Sequence, residues 1–214
     1  LRAREAQRQE TLLKEVHHRV KNNLQVISSM LFLQSTFAQD PKALAALRES
    51  QERVKSIALV HEKLYRSDDL ERLNFGEYVR DLLGEMVRTY GAGQKGVSVH
   101  SDVEDVYLGI DTAVPCGLMI NELVSNALKH AFPEGRQGEV WLKMRRTQDE
   151  EYLLSVGDNG IGLPSGLDWQ QSKSLGLRLV ADLTKQLDGT LVINKTGGTR
   201  FQIAFSETRY KKRG

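Results

Sequence analysis

Apolar residues recur at Leu13, Val16, Val20, Leu24, Ile27 and Leu31, three and four positions apart, with polar residues between them. That spacing draws one stripe along an amphipathic helix, close to a heptad repeat. Neither proline nor glycine interrupts residues 1–37, so the pattern predicts a single long helix there. Asp40 followed by Pro41 supplies an N-cap and a first-turn proline for a second helix. Its stripe runs through Leu44, Leu47, Gln51, Val54, Ile57 or Ala58, His61 and Leu64. The connection over residues 36–40 is short, which makes the two helices antiparallel neighbours. Two helices cannot fully bury two such stripes. A second copy would complete a four-helix bundle, so residues 1–66 predict a homodimer. The plainer alternative is a hairpin that packs only on its own C-terminal portion.

After residue 69 the period changes. Glycines become frequent, and short β-rich runs appear at 97–100, 106–110, 139–144 and 152–156. The last two flank a charged turn at 147–151 and read as a hairpin; 190–193 and 199–205 form another across Lys195, Thr196, Gly197 and Gly198. Helical patterns fill 76–90, 111–131 and 175–187. The fold class is therefore α+β. An N-terminal helical hairpin, residues 1–70, precedes a two-layer α/β sandwich, residues 71–214, with a mixed sheet covered by helices on one face. Residues 67–70 are the expected hinge between them.

Composition narrows the setting. Of 214 residues, 40% are hydrophobic and 27% charged, which suits a packed globular protein. A net charge of +2 with interleaved signs lacks the one-sided basic footprint of a nucleic-acid binder. The basic stretch at 209–213 reads as a solvated end. Cys116 is the sole cysteine, so neither an intrachain disulfide nor a thiolate metal cluster can form. Its apolar surroundings predict a buried, inert thiol, and a cytoplasmic location fits. No apolar run approaches the roughly 20 residues of a membrane-spanning helix, and no stretch of this sequence reads as a signal peptide. The sequence opens at Leu1, without methionine and inside predicted helix, so an upstream portion is expected.

Two regions carry candidate chemistry. On the first helix, residues three, four and seven apart share a face. His18 then lies with Lys14, Glu15, Lys21, Asn22 and Gln25, all polar, whereas His17 shares a face with Leu13, Val20 and Leu24 against the seam. An exposed imidazole, with an ordinary pKa near 6.5, offers a neutral nucleophilic nitrogen to an incoming phosphoryl group. Glu15 is placed to hold or deprotonate the ring, Arg19 and Lys21 to screen phosphate charge, and Asn22 to position water or the phosphoryl group. A solvated polar face that happens to contain a histidine is the competing explanation. His61 is a second candidate acceptor, although its place in an apolar stripe suits a core histidine better.

The second region lacks a Walker A pattern and the lysine, Asp-Phe-Gly and His-Arg-Asp set of protein kinases. It does contain Glu122, Asn126, Lys129 and His130 at i, i+4, i+7 and i+8, expected along one side of a helix. Glutamate and asparagine are hard oxygen donors suited to Mg2+, directly or through water, and Lys129 adds a compact positive charge. Asp158, Asn159, Gly160, Ile161 and Gly162 follow an apolar strand. A buried aspartate there can accept from an exocyclic amine, and the glycines permit close backbone approach. Leu175, Gly176 and Leu177 then open a helix whose free N–H groups suit phosphate oxygens. Each piece alone is weak; their order and spacing are specific.

Together these motifs resemble the core of a sensor histidine kinase of the His-Arg-x-x-Asn subgroup. That subgroup is HWE-like, with the second type of histidine-kinase dimerisation domain and a Bergerat-type ATP domain related to type II topoisomerases and mismatch-repair ATPases. The resemblance spans nearly the whole chain. It implies that His18, the histidine before Arg19 in His18-Arg19-Val20-Lys21-Asn22, is phosphorylated. It further implies that Asn126 binds Mg2+, with Glu122 where many relatives carry a first asparagine, and that Lys129 and His130 approach the phosphates. Asp158, Gly160 and Gly162 resemble the adenine-binding box, with Asp158 on the amino group. Gly176 resembles the second glycine box, and Gly198 and Thr199 the last, where the threonine reaches adenine through water. Two departures stand out. Arg19 occupies the position of a catalytic acid in most histidine kinases, leaving Glu15 and Glu122 as candidate bases. Residues 164–174 are short for an ATP lid and lack its phenylalanine motif, although Lys173 can still reach phosphate.

The implied function is ATP- and Mg2+-dependent autophosphorylation of a histidine, followed by transfer to the aspartate of a response-regulator receiver domain. A sensor domain is expected upstream. The alternatives are an ATPase or anti-sigma-type serine kinase of the same nucleotide fold with a purely structural hairpin, and a non-catalytic scaffold. Whether transfer runs within or between protomers depends on how the chain turns over residues 36–40.

Overall fold

A computed structural model describes residues 2–67, 69, 71–103, 106–149, 151–163 and 175–207. The chain divides into two units, Leu1–Leu73 and Asn74–Gly214.

The first unit is a helical hairpin of α1 (Arg2–Phe37) and α2 (Pro41–Arg66). Asp40 caps α2 as its sequence predicts: the extended backbone (φ −76, ψ 123) lets the carboxylate accept from the Lys42 and Ala43 N–H groups, both at 3.2 Å. Such a cap stabilises a helix by about 1 kcal/mol. Contacts across the seam run in opposite directions along the two helices. His17 meets His61, Lys21 meets Glu62 at 3.0 Å, and Gln51 donates to the Ser28 carbonyl at 3.4 Å. The helices are therefore antiparallel. Burial along the seam is incomplete: of the described hairpin residues only His17, Ser56, Val60 and Leu64 are buried, while Leu12, Leu13, Val16, Val26, Ile27, Met30, Phe32, Leu33 and Phe37 are exposed.

The second unit is built on a five-stranded sheet ordered β2-β4-β5-β7-β6, from β2 (Val97–Val103), β4 (Gly138–Arg146), β5 (Tyr152–Asp158), β6 (Thr190–Asn194) and β7 (Thr199–Phe205). β2 and β4 are parallel and every other pairing is antiparallel, so the sheet is mixed. Alternation along the strands turns Val140, Leu142, Met144, Leu154, Val156, Phe201, Ile203 and Phe205 to one buried face. α3 (Phe75–Tyr90), α4 (Ile110–Asn126) and α5 (Leu175–Gln186) provide the covering layer, with α4 packed on α5 and β5. Each Leu or Phe fully buried there is worth about 1.5–3 kcal/mol. Cys116 lies within this core, and burial pushes its thiol well above the ordinary range, which makes it inert.

Two local differences from the sequence pattern matter. The stretch 111–131 is not one helix: α4 ends at Asn126, and Ala127–Ala131 continues as a wider π turn. A short strand β1 (Arg72–Asn74) pairs with β3 (Tyr107–Gly109), and three-residue strands are too brief to show a period. No described helix is long and apolar enough to cross a membrane.

Candidate active site

In the hairpin, the spacing argument separates the two adjacent histidines as expected. His17 is buried, and its Nδ1 lies 3.1 Å from Nδ1 of His61, ring centroids 5.3 Å apart. One of those nitrogens must carry hydrogen and the other a lone pair. Burial, and then the charge of His17, hold the His61 pKa below the ordinary histidine value. His61 is thus a seam residue. His18 is exposed. The Asn22 side-chain amide, one turn on, lies 3.4 Å from His18 Nδ1, and the Tyr65 ring of α2 sits 5.5 Å away, tilted by 43°. Glu15 is drawn elsewhere, to Arg19 Nε at 2.6 Å. Lys21, grouped with the polar face, bridges to Glu62 across the seam.

In the sheet unit, Asp158 ends β5 and is buried. Its Oδ1 accepts from the Gly160 N–H at 2.9 Å. Burial raises its carboxyl pKa, and hydrogen bonds from the backbone N–H groups of Gly160 and Thr199 oppose the rise. The following loop is pinned: Asn159 N–H donates to the Glu139 carbonyl at 3.2 Å, and Glu139 N–H donates to Asn159 Oδ1 at 2.8 Å. Ile161 N–H reaches the Ala131 carbonyl at 2.9 Å, which ties this loop to the end of the π turn. A side chain at Gly160 would collide with Ala131, and one at Gly198 (φ +125) with the Asp158 backbone. These glycines are required by close approach. Gly162 also has a positive φ of 77° and lies beside Gly198, while Thr199 is buried opposite Asp158.

Glu122 and Asn126 stand one turn apart on α4, Glu122 buried and Asn126 half-buried. Gly176, in the first turn of α5, faces both: a Cβ there would sit 2.5 Å from Glu122 Oε2 and 3.6 Å from Asn126 Nδ2. The structure therefore brings Glu122, Asn126 and Gly176 together, and Asp158, Gly160, Gly198 and Thr199 together, with the π turn joining the groups. It does not extend the expected single row to Lys129 and His130. Both lie in the π turn and are exposed, and Lys129 Nζ stands 5.7 Å from the Tyr90 ring. The wider turn changes the angular step after Asn126, so α-helical spacing no longer applies. Leu175 and Ile161 are exposed and Leu177 is buried. Lys173 lies outside the described residues, as does the whole segment 164–174.

Glycine-made close approaches, a buried acceptor at Asp158 and paired oxygen donors at Glu122 and Asn126 are the chemistry an adenine nucleotide with a hard divalent cation requires. Sequence reasoning missed Tyr65 beside His18, because cross-helix neighbours follow from register. It also missed the Ala131 carbonyl, whose role depends on backbone alone.

Family models match both parts of the chain. A histidine kinase family model matches residues 15–90, and the model for histidine kinase-, DNA gyrase B- and HSP90-like ATPases matches residues 112–209. The sensor histidine kinase PdtaS of Mycobacterium tuberculosis is 37% identical over 84% of this chain and 36% of its own length. Blue-light-activated histidine kinase 2 of Erythrobacter litoralis is 32% identical over 92% of this chain and 56% of its own length. Among solved structures, the histidine kinase domain of an Erythrobacter litoralis blue-light activated histidine kinase superposes with a TM-score of 0.69 at 28% identity, covering 92% of this chain and 93% of that one. The chain belongs to the histidine kinase family, HWE-like in type, and carries that family's ATP-binding domain. It spans about a third of the length of PdtaS and just over half that of the light-activated kinase.

Proposed function

We propose that this chain transfers the γ-phosphoryl group of ATP to His18 and then to an aspartate of a response-regulator receiver domain. The observation that carries the reading is an exposed His18 whose Nδ1 faces Asn22, in a chain that also holds the glycine-built cradle around Asp158. With the Asn22 amide turned so that its oxygen accepts the Nδ1 proton, Nε2 keeps its lone pair. That pair attacks the γ-phosphorus, a nitrogen–phosphorus bond forms, the bond to the β-γ bridging oxygen breaks, and ADP leaves with its electron pair. Nδ1 keeps its proton through transfer and releases it to water afterwards. Such reactions depend mainly on positioning and charge neutralisation.

Asp158 accepts from the adenine amine in this reading, beside Gly160, Ile161, Gly162 and Thr199, and the first turn of α5 at Leu175, Gly176 and Leu177 faces the phosphates. Asn126 and Glu122 would hold Mg2+, which neutralises phosphate charge when bound. Lys129 and Lys173 add positive charge near the phosphates, and His130 offers a ring nitrogen for hydrogen bonding. Asn22 orients His18 but takes no proton. Glu15 is engaged by Arg19, and because Nδ1 gives its proton to water after transfer, this scheme needs neither Glu15 nor Glu122 as a base. The exposed apolar surface of α1 supports a homodimer through residues 1–66. The longer relatives named as sensor or light-activated kinases support a sensor domain, placed upstream in this reading; the cytoplasm is the proposed compartment because receiver domains and ATP meet there.

Incubation with labelled Mg-ATP tests the core claim. Label should be acid-labile and base-stable, and His18→Gln should remove it. Acid-stable label would point to a serine kinase instead, and chelation of the metal should stop incorporation.

A further inference from the structure

We infer that Tyr65 is a positioning residue for His18, packing its ring against the imidazole that Asn22 also contacts and favouring the positive charge the ring gains on phosphorylation. This rests on His18 being the acceptor. The placement follows from the seam. The His17–His61 pair fixes which residues of α1 and α2 stand side by side. One helical turn beyond His61, on the same side of α2, comes Tyr65, and one residue beyond His17 comes His18. The shared register thus sets their rings 5.5 Å apart. Leu64, fully buried, anchors the turn that carries Tyr65, whereas Tyr65 itself is 42% exposed, as an acceptor approached by a second domain requires.

His18 is exposed on an exposed helix face, so without neighbours its ring would sample several rotamers. Asn22 contacts only Nδ1. A second contact, ring to ring at 5.5 Å and a tilt of 43°, narrows the orientations the imidazole samples. The same contact acts on charge. Imidazole phosphorylated at Nε2 while Nδ1 keeps its proton is cationic, and a tyrosine ring within about 6 Å attracts a cation. The attraction is stronger in the charged transition state than with neutral imidazole, so it accelerates transfer. A phenylalanine would serve equally, since the ring and not the hydroxyl makes the contact.

The experiment compares initial rates of label incorporation from Mg-ATP for the unmodified chain, Tyr65→Phe, Tyr65→Leu and His18→Gln. Tyr65→Leu should lower kcat by about three- to tenfold at unchanged KM for ATP, the scale of one partly exposed cation–aromatic contact. Tyr65→Phe should stay within about twofold of the unmodified chain. Full-rate labelling of Tyr65→Leu, or a Tyr65→Phe rate as low as that of Tyr65→Leu, would overturn the inference while leaving His18 as acceptor. A rise in KM with kcat unchanged would also overturn it. Persistent labelling of His18→Gln would instead defeat the underlying reading. Should Tyr65→Leu fail to fold, the unmodified chain decides by NMR: a nuclear Overhauser contact between the His18 and Tyr65 ring protons is expected, and its absence overturns the placement.

Discussion

The hairpin and the sheet unit hold their key groups by different means. In the hairpin, side chains do the holding: Asn22 and Tyr65 flank His18, and Lys21 crosses to Glu62. Much of the apolar surface of α1 stays exposed. In the sheet unit the backbone does most of it. Asp158 is fixed by the Gly160 N–H, Ile161 by the Ala131 carbonyl, and the whole sits over a sealed core. A nucleotide pocket with buried polar groups needs them paired and stationary before ligand arrives. A histidine proposed as a phosphoryl acceptor needs access first. The contrast separates a proposed acceptor that can be edited with little structural cost from a proposed pocket whose groups are tied to the core.

The sharpest way to break that contrast is at the two adjacent histidines. His18→Gln should abolish label incorporation and leave ATP affinity within about twofold, because the exposed ring contributes little to packing. His17→Gln should instead lower the melting temperature, since it leaves the His61 nitrogen without its seam partner. If His17→Gln alone removes labelling, the division of roles fails.

Association comes next. Val16 and Ile27 are exposed in the hairpin, so lysine at both should leave the hairpin intact and yield monomers that still bind ATP. Sedimentation of the unmodified chain as a monomer at about 10 μM, a weak association limit, would count against the bundle.

Asp158→Asn probes the pocket. Loss of the amine-accepting carboxylate should weaken ATP binding about tenfold or more in calorimetry, the scale of 1–3 kcal/mol for an unpaired buried group. Stability should move the other way. Because burial raises the native pKa of Asp158, the native state binds more protons than the unfolded state above the ordinary carboxylate value of about 3.9. Stability contributed by this group therefore falls as pH rises through that window. At neutral pH the variant should melt no lower than the unmodified chain, and the difference should vanish in acid. A lower melting point for the variant at neutral pH would contradict the sign.

The smallest effect belongs to His61. Its native pKa lies below the ordinary histidine value of about 6.5, so between the two values the unfolded state holds more protons. Stability should be lost as pH falls below about 6.5. Thermal melts from pH 7.5 to 5.5 should show a decline that His61→Gln flattens; identical profiles would remove the pair from the hairpin's stability.

Much of this was legible from residues alone, for local reasons. Helical spacing separated His18 from His17, Asp40-Pro41 marked the start of α2, and glycines beside Asp158 announced close approach, because each depends on a few neighbouring positions. Strand runs and both hairpins of the sheet were visible through alternation and turn residues. Tertiary structure decided what distant segments do together. The parallel pairing of β2 with β4 joins segments about 40 residues apart, which no short-range pattern encodes. The π turn at Ala127–Ala131 broke the expected row from Glu122 to His130, and its Ala131 carbonyl accepts from the Ile161 N–H in the loop after β5. Tyr65 came to His18 only through the register of two helices, fixed by a histidine pair 44 residues apart. Sequence thus determined the chemical groups and their local faces; packing of segments remote in the chain decided which of those groups meet.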